Sequence, residues 1–304
     1  MAYKNREESS ELKILHILNA RMDLTQTEKQ HYLNLKKGFQ GEVQFDQLVE
    51  GAGLHHKFYI LNDLLLKCDN TTFQIDSTII TQNSIIPNEI KNFEGNLIYK
   101  NKNFYNCTTD GIYQNPLEQL NRIKILLTKL LQKNGFNIPI EGNVIFINPE
   151  CFLYQAPVDE PIVYYTQLNR FLRSLNAKPS FLDNTHTELA NFLLNAHITE
   201  PESMHLPAYQ FGSVRKGLNC GKCNSFFLEI HGRKLVCYDC GYQEKIEAAV
   251  VRGVEEVRLL FPELKLTPNI VFDWCRLSIS SKWLRRILKD NYEQFGYGKW
   301  TYYG

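Results

Sequence analysis

Four of the chain's eight cysteines stand as Cys220-x2-Cys223-x13-Cys237-x2-Cys240, and the rest are scattered singly at Cys68, Cys107, Cys151 and Cys275. Two CxxC turns can each offer two thiolates from one tight bend, which suits the tetrahedral, soft coordination that Zn²⁺ prefers. Disulfides are disfavoured in a reducing compartment. A redox CxxC would need a βαβ setting that the flanking residues lack. Four cysteines close the coordination shell, so such a zinc is structural. A second pattern is Asp76-x12-Glu89-Ile90-Lys91. Alternate residues of a strand share a face, so Glu89 and Lys91 would point one way and Ile90 the other. If the two segments pair, Asp76 meets Glu89, and two carboxylates with the Ile90 carbonyl make a hard oxygen site for Mg²⁺ or Mn²⁺. A lysine beside them can orient water or offset phosphate charge. Taken alone the pattern is also that of a surface ion pair.

The elements that must position these residues follow from periodicity. Residues 11–20 and 26–37 read as helices, Gly38 breaks the second, and residues 41–50 restart it. Strand-like runs follow at 58–66, 73–81 and 85–90, with a hairpin over 97–105. Asn115-Pro116 opens an apolar helix to about Gln132, and residues 144–148, 162–165 and 168–175 read as strand, strand and helix. Helices alternating with strands predict an α/β core of about 180 residues, a mixed sheet flanked by helices. Between the CxxC pairs, Phe226–His231 and Lys234–Val236 flank a turn, the layout of a zinc ribbon.

The blocks Lys37-Gly38-Phe39-Gln40-Gly41-Glu42, Gln74-Ile75-Asp76, Glu89-Ile90-Lys91-Asn92-Phe93-Glu94-Gly95 and Asn115-Pro116-Leu117-Glu118-Gln119 occur in that order. Together they resemble the nuclease-related domain family, a branch of the PD-(D/E)xK nucleases, over roughly residues 30–175. The resemblance implies a restriction-endonuclease-like core that hydrolyses phosphodiesters with Mg²⁺ or Mn²⁺. It implies a metal held by Asp76, Glu89 and Ile90, water activation by Lys91, a helix-borne acid at Glu42 and a site-facing Gln119. Ile75 stands where the superfamily name expects proline, which the nuclease-related branch commonly lacks. Glu42 also fits a solvated first-turn carboxylate favoured by the helix dipole, and Gln119 a plain helix-start polar residue.

Residues 243–260, 267–275 and 281–294 read as three helices before a glycine-punctuated aromatic tail, the order of a winged helix. On the third, Lys282, Arg285, Arg286 and Lys289 recur on one face, as a recognition helix presents cations to DNA. The same spacing fits a solvated face on a packing helix. Residues 214–304 carry 15 Lys and Arg against 10 Asp and Glu, so the formal net charge of +1 averages a basic back and an acidic front.

The 304 residues therefore divide into a nuclease-related domain with N-terminal helices at 1–180, a connector at 181–215, a zinc ribbon at 216–242 and a winged-helix-like module at 243–304. No run reaches the ~18 apolar residues of a membrane span, and the polar N-terminus lacks a secretion signal, which predicts a cytoplasmic protein. Lys-, Asn- and Ile-rich usage fits an AT-rich bacterial genome, where repair, mobile-element maintenance and phage defence all employ small nucleases. The expected partner is nucleic acid, DNA favoured, with one structural Zn²⁺; no sequence signal bears on an oligomer. The alternative is a non-catalytic nucleic-acid-binding or adaptor protein on a nuclease scaffold, and the intact set Asp76, Glu89 and Lys91 favours the enzyme.

Overall fold

The structure, a computed structural model, describes residues 2–109, 111–199 and 203–304. In chain order the elements begin with α1 (Ser10–Arg21), α2 (Gln26–Gly51), β1 (Tyr59–Cys68), β2 (Thr71–Ile80) and β3 (Ile85–Lys91). They continue with β4 (Gly95–Lys100), β5 (Asn103–Asn106), β6 (Ile112–Tyr113), α3 (Pro116–Lys133), β7 (Asn143–Phe146), β8 (Cys151–Tyr154) and β9 (Ile162–Tyr164). Next come α4 (Leu168–Asn176), α5 (Asn184–Asn195), β10 (Leu228–His231), β11 (Lys234–Cys237) and β12 (Gln243–Lys245). The chain ends in α6 (Ile246–Leu260), α7 (Pro268–Cys275), α8 (Ser281–Asn291), β13 (Gln294–Phe295) and β14 (Tyr302–Tyr303).

Two compact units form, and they interleave in sequence. One comprises Met1–Glu8 and Leu33–Ser203, the other Ser9–Tyr32 and Met204–Gly304. This differs from the linear division expected above in two places. Residues 9–32 pack with the C-terminal third because Ile14 and Leu18 of α1 complete its core. Residues 184–195 are no mere connector, since Leu189, Ala190 and Leu193 of α5 are buried in the core of the first unit.

The first unit is built on a mixed sheet in the order β1-β2-β3-β7-β9. The first three strands pair antiparallel, whereas β3, β7 and β9 run parallel. Apolar side chains fill both faces, as a sheet covered on both sides requires. Phe45 and Val49 of α2 and Leu168, Leu172 and Leu175 of α4 cover one face. Ile123, Leu127 and Leu130 of α3, with α5, cover the other. Asn115 caps α3 by accepting from Leu117 N–H at 2.9 Å, and Pro116 opens it where a missing N–H costs nothing. A second sheet, β6-β5-β4-β8, contains the expected hairpin.

Helix α2 corrects one expectation. It runs unbroken through Gly38 for 26 residues, because an isolated glycine costs a helix only ~1 kcal/mol against alanine and the Phe45–Val49 face pays that back in burial. Gly41 has a different role. A Cβ there would lie 2.6 Å from Asn92 Cβ and 3.0 Å from Ile147 Cγ2, so its absence lets the helix approach the ends of β3 and β7. Asn92 Nδ2 donates to the Lys37 carbonyl at 2.8 Å, and Lys37 pairs with Glu94 at 2.6 Å. The two sequence blocks around Gly41 and Glu89 thus meet in space.

In the second unit, β10, β11 and β12 form an antiparallel sheet, and α6, α7 and α8 precede the β13–β14 hairpin. At its centre Arg21 of α1, 2% exposed, pairs with Glu256 of α6. It also donates to the carbonyls of Arg215 at 2.8 Å and Gly217 at 3.0 Å and lies over the Trp274 ring. Among the described residues no helix is long and apolar enough to cross a membrane.

Two glycine substitutions separate helix propensity from close packing. Gly38→Ala, with nothing within 4 Å of its new Cβ, is expected to stabilise by ~0.5–1 kcal/mol. Gly41→Ala gains the same propensity but is expected to destabilise by a net ~1–3 kcal/mol. Urea unfolding midpoints of both variants check this, and a stabilised Gly41→Ala would refute the close approach.

Candidate active site and metal centre

Asp76 and Glu89 come together as their spacing predicts. The β2–β3 ladder pairs Ser77 with Asn88, so the next register position sets Asp76 opposite Glu89 on one face. There the ladder gives way to a side-chain contact, and Ile90 N–H donates to Asp76 Oδ2 at 2.7 Å. Glu89, 7% exposed, accepts from Lys91 Nζ at 2.6 Å. Burial, followed by the charge of Asp76, pushes the Glu89 carboxyl up to about 7 against the pull of Lys91. Asp76 is raised too, mainly by burial, with Lys91 and the Ile90 N–H opposing.

The opposite edge of Asp76 is also freed from the sheet. The β1–β2 register runs from Asn62–Ser77 to Leu64–Ile75, leaving Asp63 and Asp76 facing each other without a ladder pair. Asp63 takes a left-handed conformation with φ 54°, a state aspartate tolerates better than most residues. The Asp76 carbonyl is therefore open to another donor, and Arg6 Nη2 supplies it at 2.6 Å.

Arg6 is the main residue that the sequence reading missed. Residues 3 and 4 run beside β1, with Tyr3 N–H donating to the Ile60 carbonyl at 2.8 Å and Asn62 N–H to the Lys4 carbonyl at 3.1 Å. The guanidinium that follows, its side chain 3% exposed, meets Glu42 at 2.6 Å and Asp46 at 2.8 Å. Nothing in the polar run around Arg6 marks such a role. Asp46 was legible in principle, since it stands four residues after Glu42 and so shares its helix face. Glu42 is therefore half-buried and ion-paired in mid-helix, and the first-turn reading of it fails because α2 is continuous. Burial and the charge of Asp76 push its carboxyl up to about 8, opposed by Arg6.

Gln119 sits in the first turn of α3, its Oε1 shut off from solvent and accepting no hydrogen bond. The hydrogen bonds that join Asp76, Ile90, Glu89 and Lys91 do not include it. Among the described residues, Glu42, Asp76 and Glu89 do not gather into a three-carboxylate cluster; the group that could hold a metal by that measure is the four cysteines. The donors at Asp76 and Glu89 nevertheless suit a hard cation, being a half-buried and a buried oxygen acid side by side that disfavour each other's charge.

The cysteine centre lies in the second unit. Cys220 and Cys240 Sγ are 3.6 Å apart, as are those of Cys223 and Cys237, and all four lie within 4.8 Å of one another. Tetrahedral Zn–S bonds of about 2.3 Å would set the sulfurs about 3.8 Å apart, so the cluster could hold such an ion. Arg252 of α6 fixes its base, donating to the Asn219 carbonyl and to Glu244, both at 2.6 Å. On α8, Leu284, Ile287 and Leu288 are buried, whereas Lys282, Arg285, Arg286 and Lys289 are exposed. Arg286 approaches Asp290 at 3.7 Å.

Residues 37–147 match the family model of the nuclease-related domain. The first unit therefore contains a segment similar to the nuclease-related domain. The matched segment runs from α2 through β7 and contains Glu42, Asp76, Glu89, Lys91 and Gln119. No curated protein and no solved structure matches the chain.

The raised Glu42 carboxyl has a consequence for stability. It keeps its proton in the folded protein up to about pH 8 but would lose it near 4.5 when unfolded. Its contribution is thus complete below the unfolded value and is lost as pH rises through the folded one. Without added divalent metal, the melting temperature should fall from about pH 5 to about pH 8.5, and Glu42→Gln should flatten that fall. Parallel slopes for both proteins would contradict the burial of this acid.

Proposed function

We propose that the protein is a Mg²⁺-dependent endonuclease acting in the cytoplasm, with DNA as the favoured substrate. The observation that carries this reading is the Asp76–Glu89–Lys91 set, side by side at the edge of the β2–β3 ladder within the nuclease-related segment. Asp76, Glu89 and the Ile90 carbonyl would hold the divalent ion. Such an ion supplies positive charge to the phosphate oxygens as the transition state forms. Ile90 N–H holds the Asp76 carboxylate in place. Lys91 Nζ, anchored on Glu89 Oε1, directs a cation and proton donor toward the water and phosphate. Gln119, on the first turn of α3, would face the site as the resemblance implies.

The four cysteines would hold one structural Zn²⁺, and the exposed cations of α8 would grip the phosphate backbone. Their placement on one face, opposite the buried Leu284 and Leu288, supports that use. Contacts of this kind set affinity and salt dependence without reading sequence.

The test is cleavage of linear, nicked and single-stranded DNA and of RNA with Mg²⁺ or chelator. Glu89→Ala and Lys91→Ala should each lose about 10²-fold or more of the rate. Cleavage that persists in either variant, or none on any substrate, would sink the catalytic assignment. Metal released by thiol modification should amount to one zinc per chain, and unchanged zinc in Cys220→Ser would overturn the ribbon assignment. Arg285→Ala with Arg286→Ala should weaken DNA binding and flatten its salt dependence by about two charges; an unaltered salt slope would return α8 to a packing role.

A further inference from the structure

Arg6 makes more contacts in the carboxylate cluster than anchoring residues 3 and 4 requires. Those residues are already held to β1 through the Ile60 and Lys4 backbone bonds and through Lys4 Nζ, which donates to the Asn62 and Asp63 carbonyls at 2.8 Å. Arg6 adds a bidentate grip on Asp46 at 2.8 and 3.1 Å, a bond to Glu42 at 2.6 Å and one to the Asp76 carbonyl at 2.6 Å. Planar guanidinium geometry matches two carboxylates and a carbonyl at once, and a permanent charge suits a site where burial raises the acids.

The charge arithmetic is specific. Glu42, Asp46, Asp76 and Glu89 face Arg6 and Lys91, a formal deficit of two when all are ionised. Asp63 and Lys4 add one charge of each sign, and Glu7, which also faces Lys4, is not among the acids that act on Arg6. One divalent ion closes that gap, and a second would leave the cluster overcharged. Glu42 is drawn toward Arg6, in keeping with the absence of a three-carboxylate group among the described residues.

We propose that Arg6 stands in for a second cation, holding Glu42 and Asp46, so that the nuclease site takes one divalent ion at Asp76 and Glu89. Arg6 is then a positioning residue, and Glu42 is not a ligand. The inference rests on the proposed metal-dependent chemistry but goes beyond it in setting the stoichiometry and naming the residue that sets it.

Manganese binding to the zinc-loaded full chain, followed by the electron paramagnetic resonance of free Mn²⁺ at a pH above 8, tests it. Wild type should bind one Mn²⁺ per chain, and Arg6→Lys also one. Arg6→Ala should bind two, because the vacated carboxylates then face an empty cation position. Glu42→Gln, which keeps shape and does not depend on Arg6→Ala folding, should still bind one, its affinity lowered only by the lost charge. Two ions in wild type, or loss of the ion in Glu42→Gln, would overturn the Arg6 assignment while leaving a metal-dependent nuclease in place. A folded Arg6→Ala that binds one ion as tightly as wild type would reduce Arg6 to an anchor. No ion in wild type would remove the metal-dependent reading itself, and this inference with it.

Discussion

Asp76 and Glu89 are held opposite each other on neighbouring strands. The register that pairs Ser77 with Asn88 puts them next to each other, and the Ile90 N–H ties one carboxylate to the other's strand. Like charges at such range disfavour joint ionisation, so the surroundings must supply positive charge. Lys91 provides some from the same strand, and Arg6 provides more from the N-terminal segment. The features of the first unit around this point, the left-handed Asp63 and the close approach at Gly41, bring such charges within reach of Asp76.

The second unit depends on a buried charge in a comparable way. Arg21 and Glu256 are enclosed among Trp274 and the carbonyls of residues 215 and 217. Breaking one partner of such a pair would leave the other buried and unpaired, a cost of ~3–5 kcal/mol. Arg252 extends the same network to Asn219, immediately before Cys220, and to Glu244 on β12. The cysteine cluster is therefore mounted on α6, and the exposed basic face of α8 belongs to the same packed set of helices.

Local patterns in the sequence carried much of this. Strand alternation and register placed Glu89 beside Asp76, Asn115-Pro116 announced α3, and the CxxC spacing announced the sulfur cluster. These signals are short-range, arising within a strand, a cap or a turn. What stayed hidden depends on tertiary contact. Gly38 reads as a breaker only until the Phe45–Val49 face of α2 finds its sheet. The pairing of residues 9–32 with the C-terminal third follows from Ile14, Leu18 and Arg21 meeting partners some 200 positions away. Arg6 lies in a run with no periodicity, and its role exists only once β1 offers an edge. Asp46 was the accessible omission, one helical turn from Glu42.

The most direct test is a crystal of the protein soaked in Mn²⁺ and measured near the manganese absorption edge. A single anomalous peak between the Asp76 and Glu89 carboxylates, with Lys91 still on Glu89, is the predicted result. An empty position there, in a crystal whose four cysteines hold zinc, would contradict the metal-dependent site.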